Sequence, residues 1–233
     1  LLFSILAYPS SGTPFVDYHS AFFSLISIYC LLLAIKTQKI SFWFVMPIFL
    51  GFAFLSKQVP SSYFIIFISF ILILYTLKNK NLIYAKFFFI GGIAFILFVL
   101  VFGAFQGIKL SSFLDQYIFY PQTIGGDRFK NLTFSFRGTI DHFKFIYLAI
   151  IPLIFINAEK AYRKKNYLNH DDFLIFIGLV FMTIALIFHQ LLTKNQTFIF
   201  FIIPILTGFS HISFINYKLK FKNTFYFVII SIC

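Results

Sequence analysis

Four stretches of this sequence place acids, cations or imidazoles at spacings that can do chemistry. In the first, Tyr8-Pro9-Ser10-Ser11-Gly12-Thr13-Pro14-Phe15-Val16-Asp17-Tyr18-His19, a small-residue loop runs into an apolar segment whose first turn carries Asp17 and His19. A carboxylate there is favoured by the helix dipole, which alone accounts for Asp17. The sharper expectation is that it positions another loop or meets a metal or phosphate at the membrane face. Asp17 and His19 by themselves are too few ligands for a metal site, so no metal is assigned. The second stretch is Gly51-Phe52-Ala53-Phe54-Leu55-Ser56-Lys57-Gln58-Val59-Pro60. Its ammonium can simply reach water from the membrane edge, or hold a lipid-linked phosphate as a point charge, with Gln58 assisting by hydrogen bonding.

The third stretch gathers Asp127, Arg128, Arg137, Asp141 and His142 in one polar loop. The arginine fork suits phosphate or pyrophosphate; a weak surface pair between Arg and Asp explains the same residues. The fourth, His189-Gln190-Leu191-Leu192-Thr193-Lys194-Asn195-Gln196, is a polar turn that brings Lys194 to the same face as Lys57. A plain hairpin between two spans accounts for it, and His189 and His211 then read as hydrogen-bonded interior histidines. His170-Asp171-Asp172 reads as part of a solvated anchor. No Gly-rich nucleotide loop, HExxH, CxxC set or nucleophile elbow occurs, so soluble-enzyme chemistry is not indicated. No cofactor is evident, and a divalent metal stays open only as an alternative.

The elements that must position these residues are written in the composition. Hydrophobic residues make up 60% of the chain and charged ones 11%, with a mean hydropathy of +0.91. That leaves too little polar surface for water to be the main solvent. The net charge of +12 sits in short clusters between apolar runs, which is membrane anchoring and argues against a nucleic-acid partner. Cys30 and Cys233 lie within apolar runs, without metal spacing, and read as inert thiols.

A membrane-crossing helix takes about 20 mostly apolar residues. Such runs fall near residues 1–7, 17–35, 40–55, 61–77, 87–105, 142–158, 171–192, 197–215 and 224–233, which predicts an all-α polytopic transmembrane bundle in one domain. The run 40–55 is short and holds Pro47 and Gly51, so a tilt, kink or partial re-entry is expected. The sequence opens on Leu1-Leu2-Phe3 and closes on Ser231-Ile232-Cys233, so both ends are expected to be cuts through membrane-embedded segments.

Cytoplasmic loops retain positive charge. Loops of one parity hold twelve Lys and Arg residues, from Lys36 and Lys39 through Lys78, Lys80, Lys86 and the 160–165 cluster to Lys218, Lys220 and Lys222, against seven on the other side. Residues 9–16, 56–60, 106–141 and 193–196 are therefore expected outside, which in a bacterial inner membrane is the periplasmic face. Within 106–141, Leu110, Phe113, Leu114, Tyr117 and Ile118 share one helical face. Ser112 with Asp115 resembles a capping box and Pro121 is expected to end the run. A short amphipathic helix of this kind lies flat at the membrane surface.

From Asp17 to Pro60 the sequence resembles the GT-C-fold membrane glycosyltransferases, in particular the polyprenyl- and dolichyl-phosphate-sugar-dependent, aminoarabinose-transferase-like group. The residues that carry the resemblance are Asp17 and the phrase Gly51, Leu55, Ser56, Lys57, similar to that group's G-x-x-x-L-[ST]-K. It implies an inverting sugar transfer from a polyprenyl-phosphate carrier to a glycan, lipid or protein acceptor at the extracytoplasmic face. It also implies that Lys57 lies near the carrier phosphate, that the amphipathic helix borders the substrate groove, and that the catalytic carboxylate belongs to a loop before Leu1. Arg128 and Arg137 have no counterpart there. An O-antigen polymerase or ligase, for which the two arginines would be essential, and a transporter or flippase are the rivals.

Overall fold

The computed structural model describes residues 16–123, 132–163, 171–193 and 199–216. The apolar runs 1–7 and 224–233 lie outside them. The described residues are helical with no strand: α1 (Val16–Thr37), α2 (Ile40–Ser56), α3 (Gln58–Asn79), α4 (Ile83–Phe105), the short α5 (Leu110–Leu114), α6 (Lys144–Arg163), α7 (Asp171–Leu192) and α8 (Ile202–Asn216). Five segments within these helices, Tyr18–Thr37, Gln58–Asn79, Ile83–Phe105, Lys144–Arg163 and Asp171–Leu192, are long and apolar enough to cross a membrane. The chain is an all-α, multi-pass membrane protein.

The bundle centres on α1 and α2. α1 packs on α2, α3 and α7, while α2 has α4 on its other flank. The contact surfaces are made of small residues, as close approach between membrane helices requires. Ser20, Ser24 and Ser27 share a buried face of α1. The Ser27 hydroxyl returns to the Phe23 carbonyl at 2.9 Å, so its polarity is spent locally. On the other flank, a Cβ added at Gly91 would run into the Phe44 carbonyl oxygen and Pro47 Cγ, and one at Gly51 into the Phe95 ring. Pro47 lies inside α2, which remains a single 17-residue helix with Trp43, Met46, Leu50 and Ala53 buried. Of the expected tilt, kink or partial re-entry, no break appears at Pro47; the helical run is interrupted at Lys57 and Val59.

α4 is mostly outward-facing, with Ile93, Ile96, Leu97, Phe98, Val101, Phe102 and Phe105 all exposed. These side chains meet lipid or further helices, not water.

Charged groups tie together the ends of α3, α6 and α7 remote from the long loop. Lys78 pairs with Asp171 at 2.6 Å, Lys160 with Asp172 at 3.4 Å, and Arg163 with Glu159 along α6. Asp171 and Asp172 are thus bridges between helices, more than the solvated anchors expected from sequence. Beside them Trp43, Tyr75 and Tyr84 form an aromatic cluster with centroids 5.1–5.7 Å apart.

The long loop does contain a helix, with two corrections to its ends. It starts at Leu110 after Lys109, and no side chain caps it, so Ser112 lies inside the first turn and makes no capping box with Asp115. Pro121 does not end it: Asp115–Phe119 widens into a π-helical turn, with the Tyr120 amide bonded to the Asp115 carbonyl, and residues 120–123 remain helical. A proline is tolerated where the carbonyl it orphans finds another donor. That donor is described next.

Candidate functional site

Pro60 has no amide hydrogen, and the residue before a proline is pushed toward extended backbone. Both effects appear here. Lys57 (φ −162°, ψ 128°) and Val59 (φ −118°, ψ 124°) are extended, and the Val59–Pro60 peptide is cis. The ladder between α2 and α3 is broken, and the carbonyls of Phe54 and Leu55 lose the amides that would otherwise return to them. Tyr117 of the loop helix replaces those donors. Its hydroxyl donates to the Phe54 carbonyl at 2.8 Å and also to that of Leu55. In return, the Tyr117 carbonyl, which would have bonded the amide that Pro121 lacks, accepts from Gln58 Nε2 at 2.6 Å. Two backbone breaks face each other, and each is satisfied by a side chain from the other's segment. Burial pushes the Tyr117 phenol up to about 12, so it donates as the neutral form across the ordinary pH range.

The backbone of Lys57 is held from the other side by α1. Ser61 Oγ of α3 donates to the Lys57 carbonyl at 2.8 Å, and Ser20 Oγ of α1 donates to Ser61 Oγ at 2.6 Å, with the same carbonyl 3.3 Å away. Ser20 and Ser61 are fully buried, where leaving such groups unbonded costs about 1–3 kcal/mol each. The backbone carbonyl of Lys57 is therefore held in place at the break.

Between this break, the loop helix and the end of α7 lies an open cavity of about 450 Å³. Lys57, Gln58, Val59, Ser62 and Tyr63 form one wall, Tyr117, Ile118, Tyr120, Pro121 and Gln122 supply part of another, and His189, Leu192 and Thr193 close the third side. Among the described residues Lys57 brings the lining's one permanent positive charge, and no carboxylate lines it. The remaining polar groups are amides, hydroxyls and the imidazole of the buried His189. Such a set hydrogen-bonds and neutralises an anion. Behind it, Gln190 Nε2 lies 3.4 Å from His142 Nε2, bridging α7 to the start of α6.

No family model, no curated protein and no solved structure matches the chain. Of those singled out in the sequence, Lys57 and Gln58 meet in the cavity, and Gln58 serves also as a brace through its bond to Tyr117. His19 is exposed on α1 and is not in the lining. Asp17 falls in the first turn of α1. Arg137 is exposed, on a π-helical turn (Arg137–Asp141), and is not in the lining either. Arg128 and Lys194 lie outside the described residues. Sequence reading passed over Tyr117 as a functional side chain because a helical face counts tyrosine as apolar. The proline rules do not find it, because Pro60 orphans the Ser56 carbonyl, whereas those of Phe54 and Leu55 are freed by the extended backbone at Lys57.

Proposed function

We propose that this protein is a membrane glycosyltransferase that takes its sugar from a polyprenyl-phosphate carrier and passes it to a glycan, lipid or protein acceptor at the extracytoplasmic face, with the carrier's phosphate held in the cavity at Lys57. The observation that carries this is the cavity lining itself: one ammonium on a fixed backbone break, surrounded by neutral donors, at the end of a membrane bundle. In sugar transfer the bond between the anomeric carbon and the phosphate oxygen breaks as the acceptor hydroxyl attacks. Charge then accumulates on the departing phosphate. A cation already in position stabilises that charge without reorganisation, and Gln58, Ser62 and Thr193 can donate to the remaining oxygens. The acceptor's proton requires a base, a role assigned to none of the residues lining the cavity. The excess of Lys and Arg at the opposite end of the bundle supports an extracytoplasmic cavity.

An O-antigen polymerase would lean on Arg128 and Arg137, and the exposed position of Arg137 gives that alternative no support.

The test uses the full chain purified into lipid nanodiscs, with labelled undecaprenyl phosphate and undecaprenol as probes. The phosphate form is expected to bind and the alcohol to bind at least tenfold more weakly. Lys57→Gln should remove that preference, a loss of about 1.5 kcal/mol or more for a charge-assisted contact. Equal retention of the two lipids by the wild type would refute the proposal. Sugar release from a loaded carrier in native membranes then separates a transferase from a binding protein.

A further inference from the structure

The turns at the end of the bundle remote from the cavity do not share their charges evenly. Among the described residues, the carboxylates at that end are Glu159, Asp171 and Asp172, all on α6 and α7. Each is paired, with Arg163, Lys78 and Lys160 respectively. The other two turns carry cations alone. Lys36 lies in the last turn of α1 and Lys39 is the N-cap of α2; Lys80 is the C-cap of α3 and Lys86 follows at the start of α4. All four are exposed, and among the described residues none has an acidic partner.

These two turns are neighbours. Trp43, in the first turn of α2, meets Tyr75 near the end of α3 and Tyr84 at the start of α4, with ring centroids 5.1 and 5.7 Å apart. At 1.5 Å per residue, Lys39, Lys80 and Lys86 each lie within about 8 Å of that aromatic cluster along a helix axis. Apolar side chains stand among the cations: Leu77 and Ile83 are exposed, and Leu82 is 75% exposed.

We propose that this face is a binding surface for anionic phospholipid, with Lys36, Lys39, Lys80 and Lys86 on the headgroup phosphates and Leu77, Leu82 and Ile83 against the acyl chains. Polybasic segments at a membrane edge attract acidic lipid in this way. The mixture of ammonium and apolar side chains, at the ends of membrane-crossing helices, favours a lipid over a soluble acidic partner. The general excess of Lys and Arg on one side of a membrane protein requires only a count of charges. It does not require that the carboxylates of that side be gathered and neutralised on α6 and α7, leaving the other two turns free of acid. The proposal does not depend on the reading of the Lys57 cavity.

The test titrates the full wild-type chain in detergent micelles with phosphatidylglycerol and with phosphatidylcholine of the same acyl chains, and follows bound lipid by native mass spectrometry. Phosphatidylglycerol is expected to bind about fivefold more tightly or better, with a preference that shrinks as salt rises. Lys36→Gln, Lys39→Gln, Lys80→Gln and Lys86→Gln together should abolish that preference. The same four positions changed to Arg should keep it, and so should Lys109→Gln at the cavity end. Equal binding of the two lipids by the wild type overturns the proposal. So does a preference that survives the four glutamines, since the acidic lipid then sits elsewhere, as in the Lys57 cavity. Displacement by excess glycerol 3-phosphate overturns it too, by identifying a free phosphate as the ligand. If the fourfold Gln variant is not monodisperse, each Lys→Gln change is measured alone, and a preference that none of them lowers counts against the proposal equally.

Discussion

The two ends of the bundle are closed by different chemistry. At one, Lys78, Lys160, Asp171 and Asp172 join three helices through ion pairs whose partners are partly exposed. At the other, where Asp141 and Lys144 pair within one segment, the bonds between segments described above are uncharged: Tyr117 to two carbonyls, Gln58 back to Tyr117, Ser20 to Ser61, Gln190 to His142. Ion pairs reaching water contribute little and tolerate rearrangement. Neutral bonds to orphaned backbone in a dry site are costly to lose. The cavity thus sits where the backbone is most tightly specified, with a full positive charge on its wall at Lys57.

The comparison can be broken or sharpened in graded steps. The largest effect is expected from Gly91→Leu, which drives a side chain into the Phe44 carbonyl and prises α4 from α2. A loss of about 3 kcal/mol or more follows from such overpacking, and both ends should fail together, read as lost monodisperse protein in detergent. Tyr117→Phe should separate the ends. It leaves the Phe54 and Leu55 carbonyls without their donor, at about 1–3 kcal/mol. Hydrogen exchange should accelerate at residues 54–58 and 110–123 and stay unchanged around Asp171. A uniform change over the whole chain would contradict the reciprocal bracing.

A pH titration probes the same contact. The folded pKa of Tyr117 is raised from 10.0 to about 12, so the unfolded chain loses the proton first. Stability from the neutral phenol is complete below pH 10 and falls as pH rises through about 12. Loop-helix exchange should therefore quicken over that window in the wild type, and Tyr117→Phe should lack this component. Ser61→Ala, which removes the hydroxyl bonded to the Lys57 carbonyl, should lower stability by about 1 kcal/mol and weaken retention of undecaprenyl phosphate. The smallest effect is expected from Asp171→Asn, at about 1 kcal/mol or less and fading with salt. It should leave lipid binding untouched, as measured by a thermal shift run beside the retention assay.

Much of the helical framework was legible before any coordinates. The apolar run 171–192 returns as Asp171–Leu192, and 40–55 as Ile40–Ser56. Length and hydropathy suffice there because a bilayer leaves backbone polar groups few other solutions. Helix ends were less legible: Ser112 had the residue type of a cap but sits inside the helix, since the chain enters at Lys109. Lys57 stood out as a charge in an unfavoured place. That it shares a cavity with Tyr117, Gln122, His189 and Thr193 was hidden, because those residues are brought together by helix packing across more than a hundred positions of sequence. The bracing by Tyr117 was not readable from Pro60, whose missing amide concerns the Ser56 carbonyl; the Phe54 and Leu55 carbonyls are freed by the extended turn at Lys57.

The length of α2 has a consequence for the membrane itself. Its 17 residues reach about 25 Å along the axis at 1.5 Å per residue, short of the ~30 Å hydrocarbon layer. The break at Lys57 is thus recessed, and the bilayer around it must thin or admit water. Thickness of the host membrane becomes a setting on this protein: short-chain lipids match the recess, and long-chain lipids bury its ammonium deeper at a cost that rises with each ångström of mismatch.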